Sequence, residues 1–333
     1  MDSLIVGCYV DDLFILYNNS DEFSLYSQFT EALSKKWDVD DEGDVSDLLN
    51  IEIVRGERHV LLRQTAYIEK MCRQWLPEGP PSHVQMNSTP HTDDLPALVL
   101  DATQCTDDPD PELVKRYQSL VGALLYAATN TRSDVAYAVG LLCRAMSKPT
   151  NDLFKAALRV LGYLNRHKHI GLCYEASNGP ITGMTDSDWA VKHSTSGYVF
   201  TLAQAAISWS SKRQPTIALS SCEAEIMAAS EAAKEAVFLD RLCSELELKR
   251  SSEPIHLYCD NKAAIDSSYN PENHARTKHI DRRHYFIREL VEDGKIVVPY
   301  VSSTDNLADF FTKPLSPARF FALRDKIMNV YRT

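Results

Sequence analysis

The stretch ITGMTD at residues 181–186 predicts a β-strand that ends in a carboxylate. Around it, strands and helices alternate: strands are predicted at 198–202, 206–210, 255–259 and 296–301, and a long helix at 221–246. This alternation is the pattern of a compact α/β domain. We assign the α/β domain to residues 171–315 and a C-terminal helix and tail to residues 316–333.

Three regions of different character precede this domain. Residues 1–76 contain two β-hairpin candidates, at 4–17 and 48–62, with an amphipathic helix between them. Residues 77–112 carry seven prolines and no hydrophobic periodicity, which indicates an exposed connector. Residues 113–170 repeat apolar side chains at helical spacing and predict a small helical bundle, with helix N-caps at 133–134 and 151–152.

Composition and charge restrict the possible function classes. The 333 residues are 44% hydrophobic and 24% charged, which excludes disordered and fibrous proteins. Lys and Arg number 35 against 46 Asp and Glu, a formal charge of −11, so any contact with nucleic-acid phosphates must be local. No apolar stretch approaches the roughly 20 residues of a membrane span, and the eight cysteines form no C-x-x-C zinc pattern. We expect an intracellular protein with reduced thiols and no membrane partner.

Four carboxylates of the α/β domain lie at the edges of apolar elements. Asp186 and Asp260 end predicted strands, Glu225 lies beside an apolar helix face, and Asp309 begins the last predicted helix. Each one alone is typical of a helix cap or a solvated loop. Together they would repel one another unless divalent cations bind, and oxygen-only ligands favour Mg²⁺ or Mn²⁺. The set therefore predicts a site for two such ions, which can hydrolyse phosphodiesters.

Seven ordered blocks of this domain carry a family signature: TDSDWA (185–190), STSGYVF (194–200), ISWSSKRQ (207–214), SSCEAEIMA (220–228), DNKAAI (260–265), HARTKHID (274–281) and LADFFTKPL (307–315). Together they resemble the ribonuclease H domain of copia-type LTR retrotransposon Pol polyproteins. The resemblance implies a ribonuclease H fold, a mixed sheet flanked by helices, and two-metal cleavage of the RNA strand of RNA/DNA hybrids. It also implies that Asp186, Glu225, Asp260 and Asp309 are the catalytic acids and hold the two ions.

Glu223 is the alternative to Glu225 at the helix position. The two residues lie about 200° apart around a helix, so both cannot face the same ions. The run EIMAA resembles the glutamate-plus-apolar pattern of the family and favours Glu225. The sequence departs from the family pattern at 203–205, where Ala-Gln-Ala replaces a glycine-rich turn and disfavours a tight hairpin. Asn50 also replaces a usual glycine, and asparagine tolerates a positive φ.

Local basic residues are candidate contacts to a hybrid, because phosphate contacts position a nucleic acid without reading its sequence. Positive charge concentrates around residues 276–288, where a solvated helical face is the alternative because acidic residues interleave. Trp209 with the basic residues Lys212 and Arg213 is a second candidate, although a tryptophan in a strand is more often part of the core. The predicted nucleic-acid-binding residues are Lys212, Arg213, Arg276, Lys278, His279, Arg282 and Arg283.

The first hairpin contains Tyr9-Val10-Asp11-Asp12, which resembles the aspartate pair of reverse transcriptase palm domains. The resemblance implies that Asp11 and Asp12 are a remnant of a polymerase metal site, although an acidic dipeptide is also an ordinary turn former. By the same resemblance, residues 48–68 match a primer-gripping hairpin and thumb entry, and residues 116–150 a helical connection. The family's upstream palm aspartate and fingers are not in this sequence. We expect no DNA polymerase activity from these 333 residues alone.

Three functional hypotheses follow from the sequence. The leading one is a Mg²⁺- or Mn²⁺-dependent ribonuclease H, preceded by a partial reverse transcriptase palm and a helical thumb or connection. The alternative is a catalytically inactive remnant that binds nucleic acid. A third, structural hypothesis has the palm remnant pack within a multiprotein particle, and it predicts exposed apolar surface on residues 1–70. Expected partners are an RNA/DNA hybrid, the upstream reverse transcriptase portion and other Pol products, in a cytoplasmic virus-like particle or the nucleus.

Overall fold

The computed structural model describes residues 2–79, 88–177, 179–190, 193–248, 253–269 and 281–330, with the backbone alone at 281, 282 and 284. Its strands are β1 (Leu4–Tyr9), β2 (Asp12–Tyr17), β3 (Asp47–Leu48), β4 (Ile51–Arg55), β5 (His59–Arg63), β6 (Leu172–Glu175), β7 (Thr182–Asp188), β8 (Thr195–Leu202), β9 (Ala205–Arg213), β10 (Ile255–Tyr258) and β11 (Ile296–Val297). Its α-helices are α1 (Leu25–Ser34), α2 (Thr65–Trp75), α3 (Leu95–Gln104), α4 (Pro111–Asn130), α5 (Ala136–Cys143), α6 (Asn151–Arg166), α7 (Ser221–Glu245), α8 (Lys262–Tyr269), α9 (Asp281–Glu292) and α10 (Pro317–Met328). Short 3₁₀ helices span Ser133–Val135 and Leu307–Phe311. Within these described ranges, every helix is too short or too polar to cross a membrane.

A five-stranded sheet organises the second half of the chain, in the order β11-β10-β7-β8-β9. Strands β7, β8 and β9 are antiparallel neighbours, whereas β10 runs parallel to both β7 and β11. The sheet is therefore mixed, which confirms the predicted α/β class with a mixed sheet. Because β7 and β10 are parallel neighbours, their carboxyl ends meet at the same edge of the sheet.

Side-chain alternation along β8 places the sheet between two cores. Val199 packs with the helical region, whereas Phe200, on the opposite face, packs with α7. Successive side chains of a strand point to opposite faces, so one strand serves both layers. Helix α7 presents Ile226 and Ala229 to the second core, as its apolar spacing predicts. Complete burial of a side chain such as Phe200 contributes about 1.5–3 kcal/mol.

The α/β region and the helical region are joined by a common β-sheet and a common core as well as by the covalent chain. Strand β6 pairs with β5 in a four-stranded antiparallel sheet of order β3-β4-β5-β6. Helix α10 buries Phe320 and Ile327 in the same core as α4, α5 and α6. Experiments on this protein are therefore best made with the full chain.

The predicted connector contains a helix that the sequence analysis missed. Helix α3 buries Leu95, Val99 and Ala102 against the helical core. The spacing of these residues is helical, but the surrounding prolines obscured it. Pro96 lies in the first turn of α3, where its missing N–H has no helical acceptor to lose. The prediction of no periodicity over 77–112 is therefore wrong for this segment.

The predicted N-caps are also wrong. Helix α6 is capped by Thr150, whose side chain accepts a hydrogen bond from the Leu153 N–H. Asp134 is fully buried and paired with Arg132, so its carboxylate neutralises a buried cation and caps no helix. Both errors arise because several short polar residues precede each helix. Only the one whose backbone has the N-cap conformation can cap the helix, and the sequence does not show which one that is.

The β8–β9 and β3–β4 turns use positive φ angles without glycine. Ala203 and Gln204 have φ angles of 52° and 71° and join β8 to β9 in a two-residue turn. This contradicts the expectation that 203–205 disfavours a tight turn. The paired strands impose the type I′ conformation, whose twist matches theirs, at a cost of roughly 1–2 kcal/mol per left-handed residue. Asn50 has a φ of 59° between β3 and β4, which confirms the positive φ expected there.

The first hairpin, β1–β2, is a separate two-stranded sheet. Its turn places Asp11 and Asp12 at the exposed tip, as predicted. Several of its apolar side chains are exposed, including Val6 at 38%, Leu16 at 49% and Tyr17 at 44%. The exposed apolar surface expected on residues 1–70 is therefore present.

Candidate metal centre

Three aspartates converge at the edge of the mixed sheet. Asp186 lies on β7, Asp260 follows β10, and Asp309 lies in the 3₁₀ helix Leu307–Phe311. One carboxylate oxygen from each lies within 4.8 Å of the other two. Asp186 and Asp309 are each only 3% exposed. The structure thus brings together three of the four predicted acids in a geometry that suits a shared cation.

The elements that carry two of these acids differ from the prediction. Strand β7 continues two residues beyond Asp186, because its pairing with β8 extends to Asp188 and Thr195. Asp309 precedes the last helix, α10, and belongs to the short 3₁₀ helix. Neither difference moves the carboxylates apart. Asp186 and Asp260 are still carried by the neighbouring strands β7 and β10, and the 3₁₀ helix with Asp309 packs against β8.

Gly197 explains how Asp309 can approach the sheet. It lies on β8 directly opposite Asp186. A Cβ atom at position 197 would lie 2.6 Å from Thr312 Cγ2 and 2.9 Å from Phe311 Cβ. Glycine therefore permits the close approach of the 3₁₀ helix to β8, and this approach carries Asp309 toward Asp186.

Glu225 joins the site from α7. Its Oε1 accepts a hydrogen bond of 3.3 Å from the Ser187 N–H, and its carboxylate lies within 4.8 Å of both the Asp260 carboxylate and the Cys259 thiol. Glu223, by contrast, accepts a bond from the Leu219 N–H at the start of α7, which is a helix-capping role. Of the two glutamates, Glu225 alone contributes to the described acidic clusters.

Burial changes the protonation of two acids in the metal-free site. Burial raises the pKa of Asp186 to about 6, against the opposing effects of the Lys313 charge and the Thr312 hydroxyl bond. Burial also raises the pKa of Glu225 to about 8, and the neighbouring charge of Asp186 adds to the rise. Both carboxyl groups therefore hold a proton more firmly than usual when no cation is present.

Two basic residues that the sequence analysis missed balance the acids. Lys313 Nζ lies 2.7 Å from an oxygen of Asp309 and 3.8 Å from one of Asp186. Arg319 donates to the other oxygen of Asp309 at 2.6 Å. Burial alone would lower the pKa of Lys313, but the carboxylates of Asp186 and Asp309 outweigh it and raise that pKa. Lys313 follows Asp309 by four residues, and this i,i+4 spacing was the available sequence signal.

We expect Glu225 to reduce the stability of the metal-free protein as the pH rises from about 4.5 to about 8. The ordinary glutamate pKa of 4.5 applies to the unfolded chain, whereas Glu225 retains its proton to about pH 8 in the folded state. The folded state binds more protons in this window, so the free energy of unfolding falls with rising pH. Urea unfolding in EDTA across this range measures the effect. Glu225→Gln cannot titrate and should flatten the dependence, and an unchanged slope in that variant would contradict the assignment.

Sequence comparison places the chain in a family. No family model matches it. It is 36% identical over 327 residues to the retrovirus-related Pol polyprotein from transposon TNT 1-94 of Nicotiana tabacum, covering 95% of this chain and 24% of the polyprotein. It is 30% identical over 239 residues to the putative transposon Ty5-1 protein of Saccharomyces cerevisiae, covering 70% of this chain and 73% of that protein. The chain belongs to the Pol polyproteins of copia-type retrotransposons.

This Pol chain spans about a quarter of the length of the curated polyproteins it matches first. Among solved structures, it is similar to the crystal structure of LC11-RNase H1 in complex with RNA/DNA hybrid. That similarity has a TM-score of 0.31 and 15% sequence identity, and it covers 40% of the Pol chain and 94% of the LC11 chain.

The remaining predicted residues of the Pol chain are not part of the acidic cluster. Asp11 and Asp12 are exposed at the β1–β2 turn and belong to no group of three metal-ligating side chains within the described ranges. Lys212 and Arg213 are exposed at the end of β9, and Arg283 is half-buried on α9. Arg282 lies on α9 with its side chain undescribed, and Arg276, Lys278 and His279 lie outside the described residues.

Trp209 is part of the core of the Pol chain. It packs with the helical region, and its indole N–H donates to the Ala128 carbonyl at 2.9 Å. This contact joins β9 to α4 and leaves the indole N–H engaged. This packing supports the interpretation of Trp209 as a core residue.

Proposed function

We propose that this Pol chain is a ribonuclease H that hydrolyses the RNA strand of RNA/DNA hybrids with two divalent ions. The observation that carries the proposal is the convergence of Asp186, Asp260 and Asp309, joined through Asp260 by Glu225, at one sheet edge. A cluster of like charges of this kind is costly without a cation. Because the cluster lies in a chain of the Pol family, a role of the bound cation in nucleic-acid cleavage is supported.

The residues present fit Mg²⁺ or Mn²⁺. Asp186, Glu225, Asp260 and Asp309 would hold the ions through oxygen atoms, the donor type that both ions prefer. Glu225 is 6% exposed, and its Oε2 has no hydrogen-bond partner among the described residues, which suits a ligand that awaits a cation. When bound, such a pair of ions supplies an activated water and stabilises the leaving oxygen.

Neighbouring side chains would hold the acids in place. The Thr312 hydroxyl donates to Asp186, and the Ser303 hydroxyl donates to Asp260 at 2.6 Å. Arg319 orients Asp309 and also donates to the Ser303 carbonyl at 2.7 Å, so it connects two ligand-bearing segments. Ligands fixed in this way lose less freedom when a cation binds. Lys313 would yield its position between Asp186 and Asp309 when the ions enter.

Cleavage of a labelled RNA/DNA hybrid by the full chain tests the proposal. We expect loss of the RNA strand with Mg²⁺ or Mn²⁺, no loss with EDTA, and no cleavage of duplex DNA. The full chain is required because β6 pairs with β5 and α10 belongs to the helical core. Metal-independent cleavage, or none with either ion, would overturn the proposal.

A catalytically inactive nucleic-acid-binding protein is the second candidate. The observation that favours it is the pairing of Asp309 with both Lys313 and Arg319, because internal cations then neutralise part of the cluster without metal. This candidate predicts hybrid binding without cleavage in the same assay. Other Pol products as partners, and location in a cytoplasmic particle or the nucleus, remain predictions under either candidate.

We do not propose DNA polymerase activity for these residues alone. Asp11 and Asp12 supply two exposed carboxylates from one turn, and described carboxylates do not complete a metal-binding group around them. Two-metal chemistry requires more ligands than one dipeptide provides. Their use in a longer Pol protein would depend on ligands contributed from elsewhere.

A further inference from the structure

A thiol lies beside the acidic cluster. Cys259 follows β10 and is completely buried, and its Sγ lies within 4.8 Å of carboxylate oxygens of Glu225 and Asp260. These three ligand atoms form a group that shares Asp260 with the oxygen-only group of Asp186 and Asp309. This edge of the sheet therefore offers two sets of ligands, one with a soft sulfur atom and one with hard oxygen atoms only.

The orphaned oxygen of Glu225, which suits a cation of the acidic cluster, also lies on a residue of the thiol-containing group. Glu225 is only 6% exposed, and its Oε2 has no hydrogen-bond partner among the described residues. Its other oxygen has one long bond, of 3.3 Å, from the Ser187 N–H. A buried carboxylate oxygen without a partner is costly, and a cation between Glu225, Cys259 and Asp260 would satisfy it.

One backbone N–H faces the sulfur of Cys259, but burial, and then the nearby Glu225 charge, raise the pKa of the free thiol, so a cation must itself displace the thiol proton. The Asn261 N–H donates to Cys259 Sγ at 3.4 Å. An N–H that points at sulfur stabilises the thiolate, which is the form that binds metal. Zinc bonds of about 2.0–2.3 Å place neighbouring ligand atoms roughly 3.5 Å apart. Because the three ligand atoms lie within 4.8 Å of one another, they need to close by about 1.3 Å at most.

We propose that Glu225, Cys259 and Asp260 form a site for a thiophilic divalent cation of the Zn²⁺ class. Thiolate ligands select zinc and cadmium over magnesium, whereas the oxygen-only group does not. Binding releases to solvent the thiol proton and the proton that Glu225 holds when no cation is bound, and it forms a sulfur–metal bond with no change of oxidation state. The cation removes Asp260 and Glu225 from the ions of the proposed ribonuclease H, so it acts as an inhibitor. This inhibitory consequence rests on the proposed function, but binding of the cation does not.

Cadmium titration of the full chain tests the site without an activity assay. The cadmium–thiolate bond absorbs in the ultraviolet, so each thiol that binds cadmium adds to the absorbance. Cys259→Ala should lose one equivalent of this absorbance relative to wild type. Cys243→Ala removes another buried thiol, on α7 and outside the described ligand groups, and should retain that equivalent. Equal absorbance in wild type and Cys259→Ala would overturn the proposal.

Two further variants separate this site from the proposed catalytic one. Asp309→Asn lies outside the thiol-containing group and should keep the full cadmium absorbance. Glu225→Gln keeps the thiol but removes a ligand. It should weaken cadmium binding by at least roughly 100-fold, since losing a ligand costs no less than losing a residue that only supports one. Unchanged affinity in Glu225→Gln would also contradict the site. Both results stand even if the chain cleaves no hybrid.

Zinc inhibition then links the site to activity. In an excess of Mg²⁺, Zn²⁺ should inhibit hybrid cleavage by wild type and by Cys243→Ala. The Zn²⁺ concentration needed to inhibit Cys259→Ala, relative to its own zinc-free rate, should rise by roughly 100-fold. Equal zinc sensitivity of Cys259→Ala and wild type would refute the inhibitory role of this thiol.

Discussion

Asp186→Asn should abolish cleavage of the RNA strand while leaving the fold intact. Asp186 belongs to the oxygen-only group, with a carboxylate oxygen within 4.8 Å of those of Asp260 and Asp309. The amide has nearly the same volume and can still accept the Thr312 hydrogen bond, but it carries no charge to hold a cation. We expect the single-turnover rate to fall by roughly 10³-fold, the upper range for losing one group that stabilises the charge of the transition state.

Matched variants make this result specific to the metal centre. Glu223→Gln changes a nearby carboxylate that caps α7 and lies outside the described ligand groups, so it should retain most activity. Asp260→Asn should behave like Asp186→Asn, because both described ligand groups use Asp260. Circular dichroism and urea unfolding report whether each variant is folded. Full activity in Asp186→Asn would exclude Asp186 as a ligand.

The sequence predicted the positions of the acids better than their surroundings. Asp186 and Asp260 follow from alternating apolar strands, and the helical phase between Glu223 and Glu225 separates a cap from a site residue. The i,i+4 spacing of Asp309 and Lys313 was visible in the sequence, whereas the approach of Lys313 to Asp186 depends on how the 3₁₀ helix packs beside Gly197. The pairing of Arg319 with Asp309 likewise follows from packing and not from local spacing.

The helical region shows the same limit on sequence inference. The pattern predicts its helices, but a polar residue before a helix can cap that helix or be buried against a partner. Asp134 was predicted as a cap, and the structure pairs it with Arg132 at 2.7 Å, with both side chains completely buried. The partner two residues away was visible in the sequence, whereas the burial arises from helix α6 and its Tyr163.

Arg132→Met should lower the free energy of unfolding by about 3–5 kcal/mol, the usual cost of leaving one charge of a buried pair uncompensated. Arg132 donates to both oxygens of Asp134, at 2.9 and 2.7 Å, and to the His167 carbonyl at 3.0 Å. Methionine fills similar space without these donors. Lys155→Met is the matched control, since its pair with Asp152 is mostly exposed and should contribute under about 1 kcal/mol.

The pH dependence separates lost charge from lost packing in Arg132→Met. Burial alone would raise the pKa of Asp134, but in wild type the Arg132 charge and hydrogen bonds outweigh it and lower that pKa below its usual 3.8. Its contribution is therefore present above pH 3.8 and is lost as the pH falls below that value. Without Arg132, burial dominates and raises the pKa of Asp134. At low pH the buried carboxylate is then protonated and neutral, so the variant loses less unfolding free energy there. The difference in unfolding free energy between wild type and Arg132→Met should shrink as urea unfolding is repeated toward pH 4, whereas a constant difference would indicate packing alone.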